Sequence, residues 1–346
     1  MKTINKILSM AALALVGAVM TGCSREDNFT AQPQQQVADK GNEVTETATV
    51  GLDEQAGTRK LIIDGSKGVK TFAEGDQIAV VYQNTNGTMV KAETAALTAA
   101  DITSGGKSAK ITVTMTDPKA GGTLKYIYPA AMAGATDVDY TKLNSQDGSL
   151  DNLGKKFDLA VYGGNLTSEA KLPASATLEN KLAILAVTLK NSGSSDITST
   201  ITGMTLGDGT NTYSVTREAA AGPIYVAIQP TTSASISITA TDGSKNYAKS
   251  LTGKDYAANN GYSVSWTVKQ QYSITITGPY NGTKLVMEVS EGDTWNDMAA
   301  KYPTYLSIHS TTKWVQLNSE GFIYDSNNKK VLATAQIDPN ATYTIQ

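Results

Sequence analysis

One cysteine and one histidine, Cys23 and His309, occur in the 346 residues, and those two counts remove much reactive chemistry. A nucleophilic triad needs a base beside its Ser or Cys, and a structural zinc site needs several Cys or His ligands. His309 offers neither arrangement and reads most simply as a surface or strand-end residue. Paired carboxylates would suffice for glycoside hydrolysis, but nothing in the sequence marks a pair. Asp208-Gly209-Thr210-Asn211 lacks the alternating acids and closing Glu of an EF-hand loop, so it reads as a hairpin turn and not as a calcium site. A phosphate-cradling glycine motif is also missing. The expectation is a protein that is not an enzyme, with no cofactor and no metal.

The thiol is the remaining reactive group, and its surroundings say what it is for. Lys2 and Lys6 lead into an apolar run from Ile7 to Met20, and Thr21-Gly22 puts small residues just before Cys23. A membrane-spanning helix needs about 20 apolar residues; this run is shorter and has the flanks of a secretory signal. Val19-Met20-Thr21-Gly22-Cys23 resembles the lipobox of bacterial lipoproteins, with Met20 where that family usually has Leu. The resemblance implies cleavage before Cys23, acylation of its thiol and new amine, and anchoring by several acyl chains, which hold far more firmly than one. The alternative is a plain signal peptide that leaves a free thiol. Residues 1–22 are thus expected as a signal peptide, and Cys23 as the first residue of the mature chain.

Composition bounds the rest. The whole chain carries a formal net charge of −3, and removal of Lys2 and Lys6 makes the mature protein more acidic still. It has no basic field for nucleic acid. Thr, Ser, Ala, Gly, Val and Tyr are prominent while Phe and Trp are scarce, a balance suited to many short strands joined by small turns. The length suggests two or three domains.

Ser24 to Asn42 is polar and cannot bury enough surface to offset its ordering entropy, so residues 23–42 are expected as a tether. Its early acidic residues, Glu26 and Asp27, also resemble the surface-export signal of Bacteroidota lipoproteins, although a plain solvated linker explains them as well. From Val44 the pattern has period two, with Val44, Ala48, Val50 and Leu52 on one face, Thr45, Thr47 and Thr49 on the other, and Glu46 interrupting the apolar side. That is a strand with one wet face. The polar break Asp53 to Gly57 predicts an exposed loop. Further strands are predicted over Gln77 to Tyr82, Ala109 to Thr116 and Leu124 to Tyr128, then a long surface loop over Thr136 to Gly154.

Thr58-Arg59, Phe72-Ala73-Glu74-Gly75-Asp76-Gln77-Ile78-Ala79-Val80 and Tyr126-Ile127-Tyr128-Pro129-Ala130 together resemble the amino-terminal domain of the fimbrillin family of Bacteroidota, lipoprotein precursors of pilins and surface adhesins. The likeness is a diffuse pattern over roughly residues 40 to 270, less sharp than a metal-ligand motif. It implies transthyretin-like β-sandwiches and proteolysis after an Arg in the loop following the first strand, a place that Arg59 occupies here. It also implies assembly by exchange of a terminal strand.

In the second half, Leu182 to Leu189 is a nearly continuous apolar run, expected as a strand covered on both faces. Ile224 to Ile228, Ser235 to Ala240 and Tyr262 to Val268 come next as strands. The rhythm changes after Gln271. Tyr272 to Thr277 and Lys284 to Val289 predict a hairpin. Trp295, Met298, Ala299 and Tyr302 then fall at helical spacing, with Thr294 as N-cap and Pro303 as stop. Strands are predicted at Lys313 to Leu317, Phe322 to Tyr324 and Thr342 to Ile345. This resembles a β-grasp module; Val289 to Tyr302 also resembles the opening of a LysM repeat, but the remaining residues after Pro303 are too many and too strand-rich for one.

The expected fold is mainly β. Two tandem β-sandwich domains, residues 43–165 and 166–269, precede a small C-terminal α+β, β-grasp-like module over residues 270–346. The expected function is that of a lipid-anchored outer-membrane protein on the cell surface or in a fimbrium, acting as a pilus subunit or adhesin. Its partners would be other pilin subunits or host or bacterial surface receptors. The alternative is a surface glycan-binding lipoprotein, for which exposed members of the sixteen tyrosines and three tryptophans would be the stacking platform.

Overall fold

A computed structural model describes residues 41–53, 62–63, 66–67, 71–278, 284–317 and 321–346. The chain is mainly β.

Ten strands build the first part: β1 (Glu43–Leu52), the short pair β2 (Ile62–Ile63) and β3 (Ser66–Lys67), β4 (Ala79–Gln83), β5 (Met89–Glu93), β6 (Ile102–Thr103), β7 (Ser108–Thr116), β8 (Thr123–Tyr128), β9 (Ala160–Asn165) and β10 (Ser175–Asn180). Eight of these are hydrogen-bonded in the order β5-β4-β8-β9-β10-β1-β7-β6. The sheet folds over on itself, so that Ala48, Val50, Ile111 and Met115 from one half share a core with Val80, Tyr82, Leu124 and Tyr126 from the other. Alternation does this: in β7, Ala109, Ile111, Val113 and Met115 are buried and Lys110, Thr112 and Thr114 are exposed, the period-two pattern of a strand with one wet face. β4 differs because both its faces are covered. Val80 and Tyr82 enter this core while Ala79 and Val81 enter the next one.

Two findings depart from the sequence reading. The boundary expected at residue 165 falls before β10, whose Ser175 to Leu178 pair in parallel with Thr49 to Leu52 of β1. The stretch from Thr136 to Gly154 is not a surface loop throughout. Leu143 and Leu153 are buried, and so is Gln146, whose Nε2 donates to the carbonyls of Leu143 (2.9 Å) and Ala227 (2.8 Å) while its Oε1 accepts from the Ala227 N–H (2.9 Å). A buried amide is tolerated when its donors and acceptor are satisfied. Sparse but well-spaced apolar residues, including α1 (Leu150–Asn152) and Phe157, carry this segment into the second core.

That core lies between two layers. One is the sheet β14 (Ile224–Ile228), β11 (Ala183–Lys190), β17 (Gly261–Thr267), with β11 central and covered on both faces as its unbroken apolar run requires. The other contains β12 (Gly203–Gly207), β13 (Thr212–Thr216), β15 (Thr231–Thr241) and β16 (Asn246–Tyr256). Trp266 and Val268 are buried, with Tyr262 and Val264 packed against the same cluster.

The second layer continues into the C-terminal region. β18 (Lys269–Thr277) pairs with β16 through Lys269 to Gln271 and then forms a hairpin with β19 (Lys284–Ser290). After α2 (Trp295–Lys301) come β20 (Leu306–Ile308), β21 (Val315–Leu317), β22 (Gly321–Tyr324) and β23 (Tyr343–Ile345). The last strand lies parallel to β18 and antiparallel to β22. Hairpin, helix and a parallel first and last strand are a β-grasp-like arrangement. The helix starts at a capping box: Thr294 N–H donates to Asp297 Oδ2 (2.8 Å) and Asp297 N–H to Thr294 Oγ1 (3.4 Å). Hydrogen bonds from Thr294 hold the Asp297 carboxyl below its ordinary pKa.

Ile274, Met287, Trp295, Met298, Ile323 and Tyr343 belong to a third core. Because that core draws on residues after 271, truncation after Gln271 is expected to leave the preceding strands folded, with a single cooperative melting transition and native near-UV circular dichroism. Loss of cooperativity would make the module part of the main fold.

Candidate functional site

The feature with functional geometry is the seat of β1. Antiparallel to β7, its Glu43 to Gly51 pair with Thr116 to Ser108, and on the other edge Thr49 to Leu52 lie parallel to β10. The ends are fastened too. Asn42 N–H donates to Asp117 Oδ1 (2.7 Å), Leu52 N–H to the Lys107 carbonyl (2.9 Å) and Asp53 N–H to the Leu178 carbonyl (3.0 Å). Ala48, Val50 and Leu52 point into the core and are buried, Thr45, Thr47 and Thr49 face water, and Glu46 is half-buried at the less covered end. These are the faces that the sequence pattern predicts.

Tyr82, Tyr126 and Tyr128 line the core that β1 covers. Tyr126 and Tyr128 have their hydroxyl pKa values pushed well up by burial. Tyr82, raised by burial in the same way, donates to the Thr116 carbonyl (3.1 Å) and accepts from the Thr116 N–H (2.7 Å). Were β1 withdrawn, the protein would present an apolar trench flanked by the unpaired edges of β7 and β10. Such edges are templates for an incoming strand.

β10 was not recognisable from sequence as a wall of this seat. Its signal is the alternation Ala176-x-Leu178 after Pro173, both apolar residues being buried, but the polar Ser175, Thr177, Glu179 and Asn180 around them make it look like a linker. Cys23 and Arg59 lie outside the described residues, as do the signal peptide and residues 23–40 of the tether. His309 is half-buried beside Phe322, and Asp208 is enclosed in its turn by the N–H groups of Thr210 and Asn211 and the Tyr213 hydroxyl. Among the described residues there is no group of three His, Cys, Asp or Glu placed to hold a metal ion.

No family model matches the chain, and no curated protein matches it. Solved structures do. A fimbrial assembly protein from Parabacteroides distasonis ATCC 8503 is similar at 7% identity and a TM-score of 0.35, covering 71% of this chain and 99% of its own. Candidate cell adhesion proteins from Bacteroides fragilis NCTC 9343 (12% identity, TM-score 0.32, 72% of this chain and 94% of that one) and Bacteroides uniformis ATCC 8492 (13%, 0.32, 71% and 98%) are also similar. At such distances the likeness carries no functional weight, and function has to be argued from β1 itself.

Proposed function

We propose that this chain is a surface-exposed fimbrial subunit or adhesin, lipid-anchored at Cys23, in which β1 is a removable strand. The observation that supports the reading is the position of β1. It lies inside a sheet, is joined to the rest through the segment that contains Arg59, and fills an apolar trench whose two walls are strand edges. Cleavage after Arg59 would sever β1, the tether and the lipid from the body in one step. The vacated trench would then accept an extended segment of another subunit with small or aliphatic residues at alternate positions, as Ala48, Val50 and Leu52 are spaced.

The same logic sets this chain's place in an assembly. Its own last strand, β23, is held between β18 and β22. Donating it would break the β-grasp-like module, so we infer that β23 is not the strand this chain would give to a neighbour.

Surface fibres purified from the producing cells test this. The chain should be present with a mature amino terminus at Lys60; finding only the unprocessed chain on the surface, or no form of the chain in any fibre, would overturn assembly. Cys23→Ser is expected to abolish acylation and release the unprocessed protein from membranes, read by fractionation and mass spectrometry; continued acylation or retention would rule out the anchor.

A further inference from the structure

The C-terminal module carries an aromatic cluster that its core does not use. Of the three tryptophans, Trp266 and Trp295 are buried, whereas Trp314 is half-exposed on the outer face of the module. Its ring meets that of Phe322 edge-on, with centroids 5.6 Å apart at 84°. Tyr324 lies two residues further along β22 and is half-exposed as well. The Lys330 ammonium stands over all three rings, 4.1 Å from the centroid of Trp314, 4.4 Å from Phe322 and 6.0 Å from Tyr324. Leu332, the cross-strand partner of Trp314, is 47% exposed and extends the apolar surface.

We propose that this lysine-capped aromatic platform binds an acidic oligosaccharide. Half-exposed Trp314 and exposed Leu332 provide an amphipathic patch at the edge of water for the apolar face of a pyranose. Lys330 provides the counter-charge for a sugar carboxylate. Among the described residues no carboxylate is ion-paired with it, and its ammonium rests against the rings of Trp314 and Phe322. Lys313, next to Trp314, and Lys329, next to Lys330, are both exposed.

The chemistry selects among ligands. A cationic ligand would compete with an ammonium already in place. A polyphosphate such as nucleic acid demands an extended basic field, and the chain as a whole is acidic, at −3. A uronate or sialylated glycan, with one carboxylate among many hydroxyls, matches one central lysine and a set of rings.

The platform is also held in place before any ligand arrives. His309 N–H donates to the Trp314 carbonyl (3.0 Å), and Phe322 and Gln346 exchange both backbone hydrogen bonds (3.1 Å each). Little ordering is left to be done on binding.

This inference rests on the surface-adhesin reading for the kind of ligand the chain would meet, but it requires neither cleavage nor assembly. The full chain carrying Cys23→Ser serves for the test, titrated calorimetrically with a panel of oligogalacturonate, hyaluronate and sialyl-lactosamine oligosaccharides and with their methyl-esterified, neutral forms. At least one acidic member should bind saturably, with affinity falling as salt rises. Trp314→Ala should weaken it tenfold or more. Lys330→Gln should abolish the preference for the acid over its ester while leaving weak stacking. Near-UV circular dichroism checks that the core around Trp295 is unchanged in both variants. No saturable binding by any member, equal affinity for acid and ester, or concentration-dependent burial of Trp314 between copies would each overturn the proposal. Failure here with fibres still formed refutes the glycan platform alone; binding without fibres refutes assembly alone.

Discussion

Arg59→Ala should leave export intact and trap the full-length, membrane-anchored chain, with assembly reduced about a thousandfold. The size of the effect comes from the covalent link. While the segment after Leu52 is intact, β1 competes for its own trench as an intramolecular ligand, at an effective concentration on the order of millimolar. A donor strand on a second subunit, at roughly micromolar concentration, is outcompeted by the ratio of the two, about 10³ for equal intrinsic affinity. Cutting the chain after Arg59 removes that advantage, because β1 then leaves with the lipid and cannot return by tethered diffusion. The measurement is immunoblotting of surface fractions for the full-length and shortened chains, alongside electron microscopy of fibres. Wild-type levels of fibres from the Arg59→Ala strain would show that cleavage there is not the trigger. Lys60 beside Arg59 makes the bond generically sensitive to trypsin-like proteases, so Lys60→Ala is the control that should leave maturation unchanged.

The faces of β1 were readable directly because alternation is a property of the local chain: Ala48, Val50 and Leu52 are separated by single residues that include Thr49, and no partner need be known. The same holds for β7, for the continuous run in β11 and for α2, where Thr294, Trp295, Met298 and Pro303 fix the start, face and stop. What sequence left open is pairing. Ser175 to Asn180 is a short strand whose only apolar residues are Ala176 and Leu178, and nothing local shows that it closes against β1 across more than a hundred residues. Gln146 was hidden for a different reason. A polar residue reads as exposed unless its hydrogen-bond partners are known, and one of them is the backbone of Ala227, on a distant strand. The aromatic platform was half legible. With Val315 and Leu317 facing in, Trp314 had to face out, but the convergence of Lys330 on Trp314 and Phe322 depends on the folded order of strands.

Val50 is where the stability of the seat can be separated from its chemistry. Its side chain is fully buried, and its backbone neighbours are Ala109 on β7 and Ala176 on β10, small residues that leave the valine as the main filling of that part of the trench. Val50→Ala removes two methyl groups, at about 0.8 kcal/mol each for transfer alone, and leaves a cavity that brings the cost to about 2–3 kcal/mol. Val50→Asp places an uncompensated carboxylate there and should prevent stable docking of β1. Thr49→Asp, one residue away on the wet face, should stay within about 0.5 kcal/mol of wild type. Chemical denaturation of the uncleaved chain measures all three. The kinetic consequence distinguishes a removable strand from a merely structural one. Once the chain is cut, β1 is held only by its ladder and its apolar residues. Loss of about 2–3 kcal/mol then speeds its departure by roughly 30- to 150-fold, provided its contacts are broken at the transition state for exit. A Val50→Ala chain cleaved after Arg59 should therefore take up a donor-strand peptide much faster than the wild type. Equal uptake rates, despite the measured loss of stability, would mean that β1 does not leave before the new strand enters.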